Sequence, residues 1–260
     1  MIELTYEQME RIGDFYENST DSTIFSALQG FMGQAFVDSL EDLKHSFILQ
    51  GDFLFPSCAK GEFCEEVAEQ MLCEIGNYQN LANLLIIPQS DEWKDYFNKS
   101  LKYDVIKRYS LSKMKLSDFD EKKLWDYANQ LPVKYRYERM DEALAKQALS
   151  MEWSKDFCSN FLSAEDYASR GLGIAILHGQ ELICAASSYT IYADGIEIEI
   201  ATKESYRNQG LATMCGARLI LECKKEQKIP NWDAANMMSV KIALKLGYQF
   251  IGEYNTYVTK

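Results

Sequence analysis

The sequence predicts an α/β (α+β) protein in two parts: residues 131–260 form a central mixed, mostly antiparallel sheet flanked by helices, preceded by a smaller acidic α/β domain at 1–130. Three observations predict it. After residue 130, periods of two and of 3.6 follow one another in the order β, α, α, β, β, β, α, β, α, β. Two tight-turn signals, His178-Gly179-Gln180 and Ala193-Asp194-Gly195, tie the middle strands into an antiparallel meander. Charge changes abruptly: residues 1–130 carry 12 basic and 23 acidic side chains, a net -11, and the rest 15 and 16, a net -1.

The N-terminal part opens with two helical stretches, then strand-like runs at 34–38 and 46–56. A helix at 62–75, a strand at 81–88, a helix at 91–100 and a strand at 103–110 follow. From Gln34 onward this order echoes the C-terminal half, which suggests a degenerate internal duplication that two unrelated folds would refute. Residues 113–140 join a charged stretch, a short helical pattern and Pro132, and so mark the junction. Beyond it, 133–138 alternates as a strand and 140–150 is helical after Asp141, an N-cap. A helix opens after Ser163, where Ser-Ala-Glu-Asp has the shape of a capping box. Strands at 173–178, 181–191 and 195–202 precede a long amphipathic helix at 210–226. A short strand at 229–234, a helix at 236–246 and a strand or hairpin at 248–259 close the chain.

Of the 260 residues, 47% are apolar and 25% charged, a globular composition. No apolar run approaches the ~20 residues of a membrane span, and the acidic N-terminus is unlike a secretory signal, so a cytoplasmic protein is expected. Seven cysteines, an odd and scattered set, read as reduced, mostly buried thiols. No basic stripe is interleaved with aromatics, which argues against nucleic acid, and the net charge of -12 favours cationic ligands.

The stretch from Ile196 to Thr213 is a strand, a polar turn and a helix opening at Gly210. The first N–H groups of a helix lack internal acceptors and sit at its positive end, so a glycine there lets a pyrophosphate approach the backbone. Arg207 adds a charge-assisted contact. On the strand, alternation puts Glu197 and Glu199 on one face and Ile196, Ile198 and Ile200 on the other. Two carboxylates on a central strand suit a general base; the competing reading is a wet or cation-paired face.

Arg207-x-x-Gly210-x-Ala212 resembles the acyl-CoA pyrophosphate loop of the GNAT superfamily of N-acetyltransferases. Asn236-x-x-Ser239 followed by Lys245-Leu-Gly-Tyr248 is similar to that family's second cofactor segment. The resemblance covers about residues 132–260 and implies the GNAT fold, acetyl-CoA as acyl donor and a primary amine acceptor, with no metal. It also implies roles. Ile200, Ala201 and Thr202 would pair with the pantetheine arm; Arg207, Asn208, Gln209, Gly210, Leu211, Ala212 and Thr213 would hold the phosphates; Asn236 and Ser239 would complete the slot, Asn236 capping its helix as well. Glu199, nearer the expected thioester, is the first choice of base and Glu197 the second. Trp232-Asp-Ala-x-Asn and the Gly195-Ile-Glu-Ile strand look like a bacterial branch related to zwittermicin-resistance acetyltransferases, which also carries a divergent N-terminal region.

One departure stands out: where many members place a Tyr that protonates the leaving thiolate, this chain has Ala243. A non-catalytic acyl-CoA-binding sensor or scaffold is therefore an alternative, and so is an enzyme acting on a protein or peptide amine. His45 and His178 give no support for a triad or a two-His metal site, nor do Cys58, Cys64 and Cys73 for zinc.

Overall fold

The computed structural model describes residues 1–78, 84–112 and 114–260. The chain forms two compact units, Met1–Arg108 with Tyr254–Lys260, and Tyr109–Glu253.

In the first unit, β1 (Ile2–Glu3) leads through a 3₁₀ helix (Tyr6–Tyr16) and α1 (Ser22–Leu28) to β2 (Gln34–Val37), β3 (His45–Gln50) and β4 (Phe53–Cys58). Then come α2 (Glu65–Tyr78), β5 (Leu85–Ile86), α3 (Asp91–Lys99) and β6 (Tyr103–Leu111), the last running on into the second unit. β1 to β4 pair antiparallel in chain order, and β5 joins β4 in parallel. The run at 46–56, expected as one strand, is a hairpin: Gly51, at φ +59, turns the chain so that Phe53 faces Gln50. Alternation sends Phe47, Leu49 and Leu54 to the side of Trp93 and Phe97. Ile48 and Phe55 go to the other side, with Ile12, Tyr16 and Ile24. A strand pair buried on both faces reads as one apolar run, which conceals the turn. Of the strand expected at 81–88, β5 occupies two positions, and residues 81–83 lie outside the described residues.

The second unit continues with a 3₁₀ turn (Leu116–Asp118), α4 (Glu121–Ala128), β7 (Tyr135–Arg139), α5 (Glu142–Leu149), a 3₁₀ turn (Lys155–Phe157) and α6 (Ala164–Arg170). The meander is β8 (Gly173–His178), β9 (Glu181–Tyr192) and β10 (Gly195–Thr202). After a 3₁₀ turn (Glu204–Tyr206) come α7 (Leu211–Glu226), β11 (Ile229–Asn231), β12 (Asp233–Ala234), α8 (Met237–Leu246) and β13 (Phe250–Thr259). The end of β13 belongs to the first unit, where Tyr257 pairs with Ile86. Caps set the helix starts: Asp141 accepts from Leu144 N–H at 2.9 Å and Ser163 from Asp166 N–H at 3.1 Å, while the Asp166 carboxylate reaches back to Leu162 N–H. The strand expected at 229–234 is split at Trp232, because β11 pairs with β10 and β12 with the Tyr109–Ser110 end of β6.

The units divide at 108, whereas the sequence places the boundary at 130. α4 accounts for the difference: it packs within the second unit, where the Arg218 guanidinium lies 5.2 Å from the Trp125 ring and Tyr137 Oη donates to the Ala128 carbonyl at 2.9 Å. β7 to β10 pair antiparallel in chain order and β11 joins in parallel, the same sequence of pairings as β1 to β5. In both units helical segments separate the first strand from the second, one longer helix separates the fourth from the fifth, and another helix follows.

All seven cysteines are free, and burial pushes the Cys58 and Cys158 thiols up to about 11 and about 12. Among the described residues, no helix is long and apolar enough to cross a membrane.

Candidate functional site

β10 and β11 pair over only three positions, the last being Glu197 with Asn231. Beside it the β9–β10 register shifts, Tyr189 being the extra residue, and such a bulge increases local twist. Where the parallel pairing stops lies a cavity of about 580 Å³. Ile200, Ala201 and Thr202 of β10 form one wall, and Tyr206, Arg207, Asn208, Gly210, Leu211, Ala212 and Thr213 follow around the turn into α7. Asn236, Met238, Ser239, Ile242 and Lys245 of α8 face them, and Trp153 enters from the turn after α5.

Eleven of the twelve residues expected to hold a cofactor thus share one cavity. Gln209 is turned away, its side chain accepting from Tyr135 Oη at 3.0 Å. Asn208 (φ 63) and Gly210 (φ 78) both take the left-handed conformation, which winds the turn into α7 and leaves the first N–H groups of that helix without helical acceptors. The turn is braced from behind: Lys203 pairs with Glu181, Tyr206 Oη donates to Glu181 at 2.9 Å, and His178 Nδ1 meets Tyr206 Oη at 3.0 Å. The Lys203 bond holds the Glu181 carboxyl below its ordinary value. Arg207 Nε donates to the Thr202 carbonyl at 3.2 Å. Among the described residues the lining includes two cations, Arg207 and Lys245, and no carboxylate, in a chain with 39 Asp and Glu. Asn236 both caps α8, accepting from Met238 and Ser239 N–H at 3.0 Å, and lines the cavity, while Ser239 Oγ accepts from Trp232 Nε1 at 3.0 Å.

Glu197 and Glu199 are not part of this lining. Glu197 is 8% exposed and accepts from Asp233 N–H at 2.6 Å, so it fastens the chain where β11 gives way to β12. Glu199 is half-buried opposite Ser187 in the β9–β10 register, and directly opposed residues share a face. Ser187 Oγ donates to the Phe157 carbonyl at 2.9 Å and meets Tyr167 Oη at 2.6 Å, which places the carboxylate face under α6 and the 155–157 turn. The isoleucine face lies on α7, where Ile200 approaches Gly216.

Trp153, Tyr206, Met238 and Ile242 join the cavity without having been expected there, and Lys245 joins it from the second motif, where it had no assigned role. For α8 a signal existed: Asn236, Ser239, Ile242 and Lys245 recur every three residues and so line one side of the helix. Trp153 has no such pattern. Ala243 is fully buried, and Tyr248, the nearest downstream phenol, is buried too and donates to the Pro230 carbonyl at 2.7 Å; burial pushes its pKa well above the ordinary range. Tyr257 lies in the first unit, donating to Asn98 Oδ1. His45 Nε2 accepts from Cys64 N–H at 3.1 Å, and among the described residues no three His, Cys, Asp or Glu side chains gather as a metal site.

The profile of the GNAT acetyltransferases matches residues 14–257. Over 175 residues the chain is 29% identical to the uncharacterized N-acetyltransferase YdfB of Bacillus subtilis (strain 168), a stretch that makes up 66% of this chain and 64% of that relative, so the chain spans just under two thirds of the relative's length. A GCN5-related N-acetyltransferase-like protein from Streptococcus suis 89/1591 superposes with a TM-score of 0.86 at 30% identity, covering 98% of this chain and 99% of that one. A tandem GNAT protein from the clavulanic acid biosynthesis pathway shares the fold alone, at a TM-score of 0.57 and 10% identity, over 98% of this chain and 96% of its own.

Proposed function

The chain belongs to the GNAT acetyltransferase family, and on that premise we propose that it is an acetyl-CoA-dependent N-acetyltransferase acting on a primary amine of a small cationic molecule. The observation that carries this reading is the cavity at the opened β10 edge: a helix N-terminus behind a left-handed glycine, two cations and no carboxylate among the described residues, which suits a polyanionic coenzyme. When bound, acetyl-CoA supplies an acyl thioester. Arg207, Asn208 and Gly210 to Thr213 would hold its phosphates, Ile200 to Thr202 its pantetheine arm, and Asn236 and Ser239 the space between. Gln209 would act from behind by fixing the turn to Tyr135.

An alkylammonium must lose a proton before it attacks, and on this reading a Glu199 carboxylate oxygen accepts it. Glu197, already engaged by Asp233 N–H, would draw the ammonium toward that face. Glu199→Gln is expected to keep coenzyme affinity and to lower turnover by about 10² to 10⁴, with the defect shrinking as pH rises and free amine accumulates. Full activity of the variant across pH would refute the assignment of the base.

A non-catalytic acyl-CoA-binding module is the second reading, favoured by buried Ala243 where a phenol would stand and by the engagement of Tyr248 with Pro230. Thiol release from acetyl-CoA with a panel of amines separates the two, and basic peptides in the panel test a protein acceptor. The acceptor's cationic character rests on the net charge of -12. The Trp232-Asp-Ala-x-Asn stretch supports placement in the branch resembling zwittermicin-resistance acetyltransferases. The repeated order of strand pairing supports reading residues 1–130 as a degenerate copy of the domain at 131–260.

A further inference from the structure

We propose that Trp153 closes the acyl end of the donor slot and that its indole N–H donates to the carbonyl oxygen of the bound thioester, an inference that rests on the acetyltransferase reading above. Trp153 comes from the carboxylate side of the sheet. Its ring packs edge-on to Phe157 at 5.9 Å, the Phe157 carbonyl accepts from Ser187, and Ser187 is the register partner of Glu199. The rest of the lining belongs to β10 and to α7 and α8 with the turn before α7, and Ile200 approaches Gly216 of α7. The cavity thus joins residues of the α7 side to Trp153, whose ring partner Phe157 is bonded to the register partner of Glu199.

The second observation is chemical. Trp153 Nε1 is shielded from water and finds no acceptor among the described residues, whereas the indole of Trp232 donates to Ser239 and that of Trp93 to the Ser57 carbonyl. A buried donor without a partner costs free energy that an acceptor brought in by a ligand would recover. If Glu199 takes the amine proton, as the acetyltransferase reading has it, the acceptor of a bound acyl donor on that side would be the thioester carbonyl. The indole would hold that carbonyl while its bulk limits the length of the acyl chain. Trp153 thereby becomes a residue that positions the acyl group and sets its size.

The test uses the full-length protein with ¹⁵N-labelled indoles. Its four tryptophans give four indole N–H resonances, that of Trp153 being assigned as the peak missing from W153F. The Trp153 resonance should move downfield with acetyl-CoA and much less with CoA, which has no carbonyl at that end. By calorimetry, W153F should narrow the preference for acetyl-CoA over CoA by about threefold to tenfold, the scale of one hydrogen bond. W153L should raise butyryl-CoA turnover relative to acetyl-CoA. Equal movement of the indole resonance with CoA and acetyl-CoA would overturn the carbonyl assignment, as would an unchanged preference in W153F. Failure of the unaltered protein to bind either coenzyme would overturn the acetyltransferase reading together with this one. Because the indole shifts are measured on the unaltered protein, they decide between these outcomes even if a variant binds too weakly for calorimetry.

Discussion

Gly210 shows how one residue can carry both a backbone requirement and a ligand requirement. Its φ of +78 is left-handed, yet a Cβ built there meets only Met214 Cε, at 3.4 Å, so conformation and not crowding inside the protein selects glycine. The two requirements separate by choice of substitution. Gly210→Val should lose about 1–2 kcal/mol of stability, since a branched residue resists φ > 0, together with acetyl-CoA affinity. Gly210→Asn, which tolerates the left-handed region, should keep the urea midpoint and still lose affinity on the order of 2 kcal/mol, because its side chain stands where phosphate approaches the α7 amides. Calorimetry showing unchanged affinity in the Asn variant would remove this turn from the site. Gly210, Arg207 and Asn236 were legible because each obeys a local rule of helix starts that needs no knowledge of the fold. Trp153 was not, since its importance comes from what Phe157 and Ser187 place beside it.

Among the elements, α8 ties stability to binding through its N-cap. Asn236 accepts from two backbone N–H groups and faces the cavity, so removing the side chain would confuse the two roles. Asn236→Asp separates them: aspartate caps as well as asparagine and suits the helix dipole, but it brings a carboxylate into a lining that has none among the described residues. Thermal stability should hold while acetyl-CoA affinity falls at least tenfold, the loss fading at high salt. Equal affinity for the two proteins would mean that no phosphate comes near this cap. Elements with a strong period and a visible cap, such as α5, α6, α7 and the β8–β10 meander, could be read from residue patterns alone. The β3–β4 turn at Gly51 and the break at Trp232 could not, since both depend on which neighbour each strand finds.

For the whole chain, the repeated pairing order raises the question of how many coenzymes it takes up. In the first unit α2 and α3 follow β4 and β5 as α7 and α8 follow β10 and β11, and between them lies a cavity of about 480 Å³. Its lining has the opposite character: Glu65, Glu69, Glu92 and Asp95 beside Phe63 and Tyr96, with Lys99 as its cation. α2 opens on Glu65 and Glu66 where α7 opens on Leu211 and Ala212, so the amide end that would attract a phosphate is occupied by negative charge. One carboxylate about 4 Å from a phosphate costs about 4 kcal/mol at the dielectric of a protein surface, roughly a thousandfold in affinity. The charge step in the sequence, -11 against -1, has this counterpart in the two cavities, although the boundary read from it at 130 falls beyond α4. The expected stoichiometry is therefore one acetyl-CoA per chain. Calorimetric titration should saturate at that ratio, and Gly210→Val should abolish the whole signal and not half of it. Saturation at two, or half the heat surviving in the variant, would show that the acidic unit has kept a coenzyme site of its own.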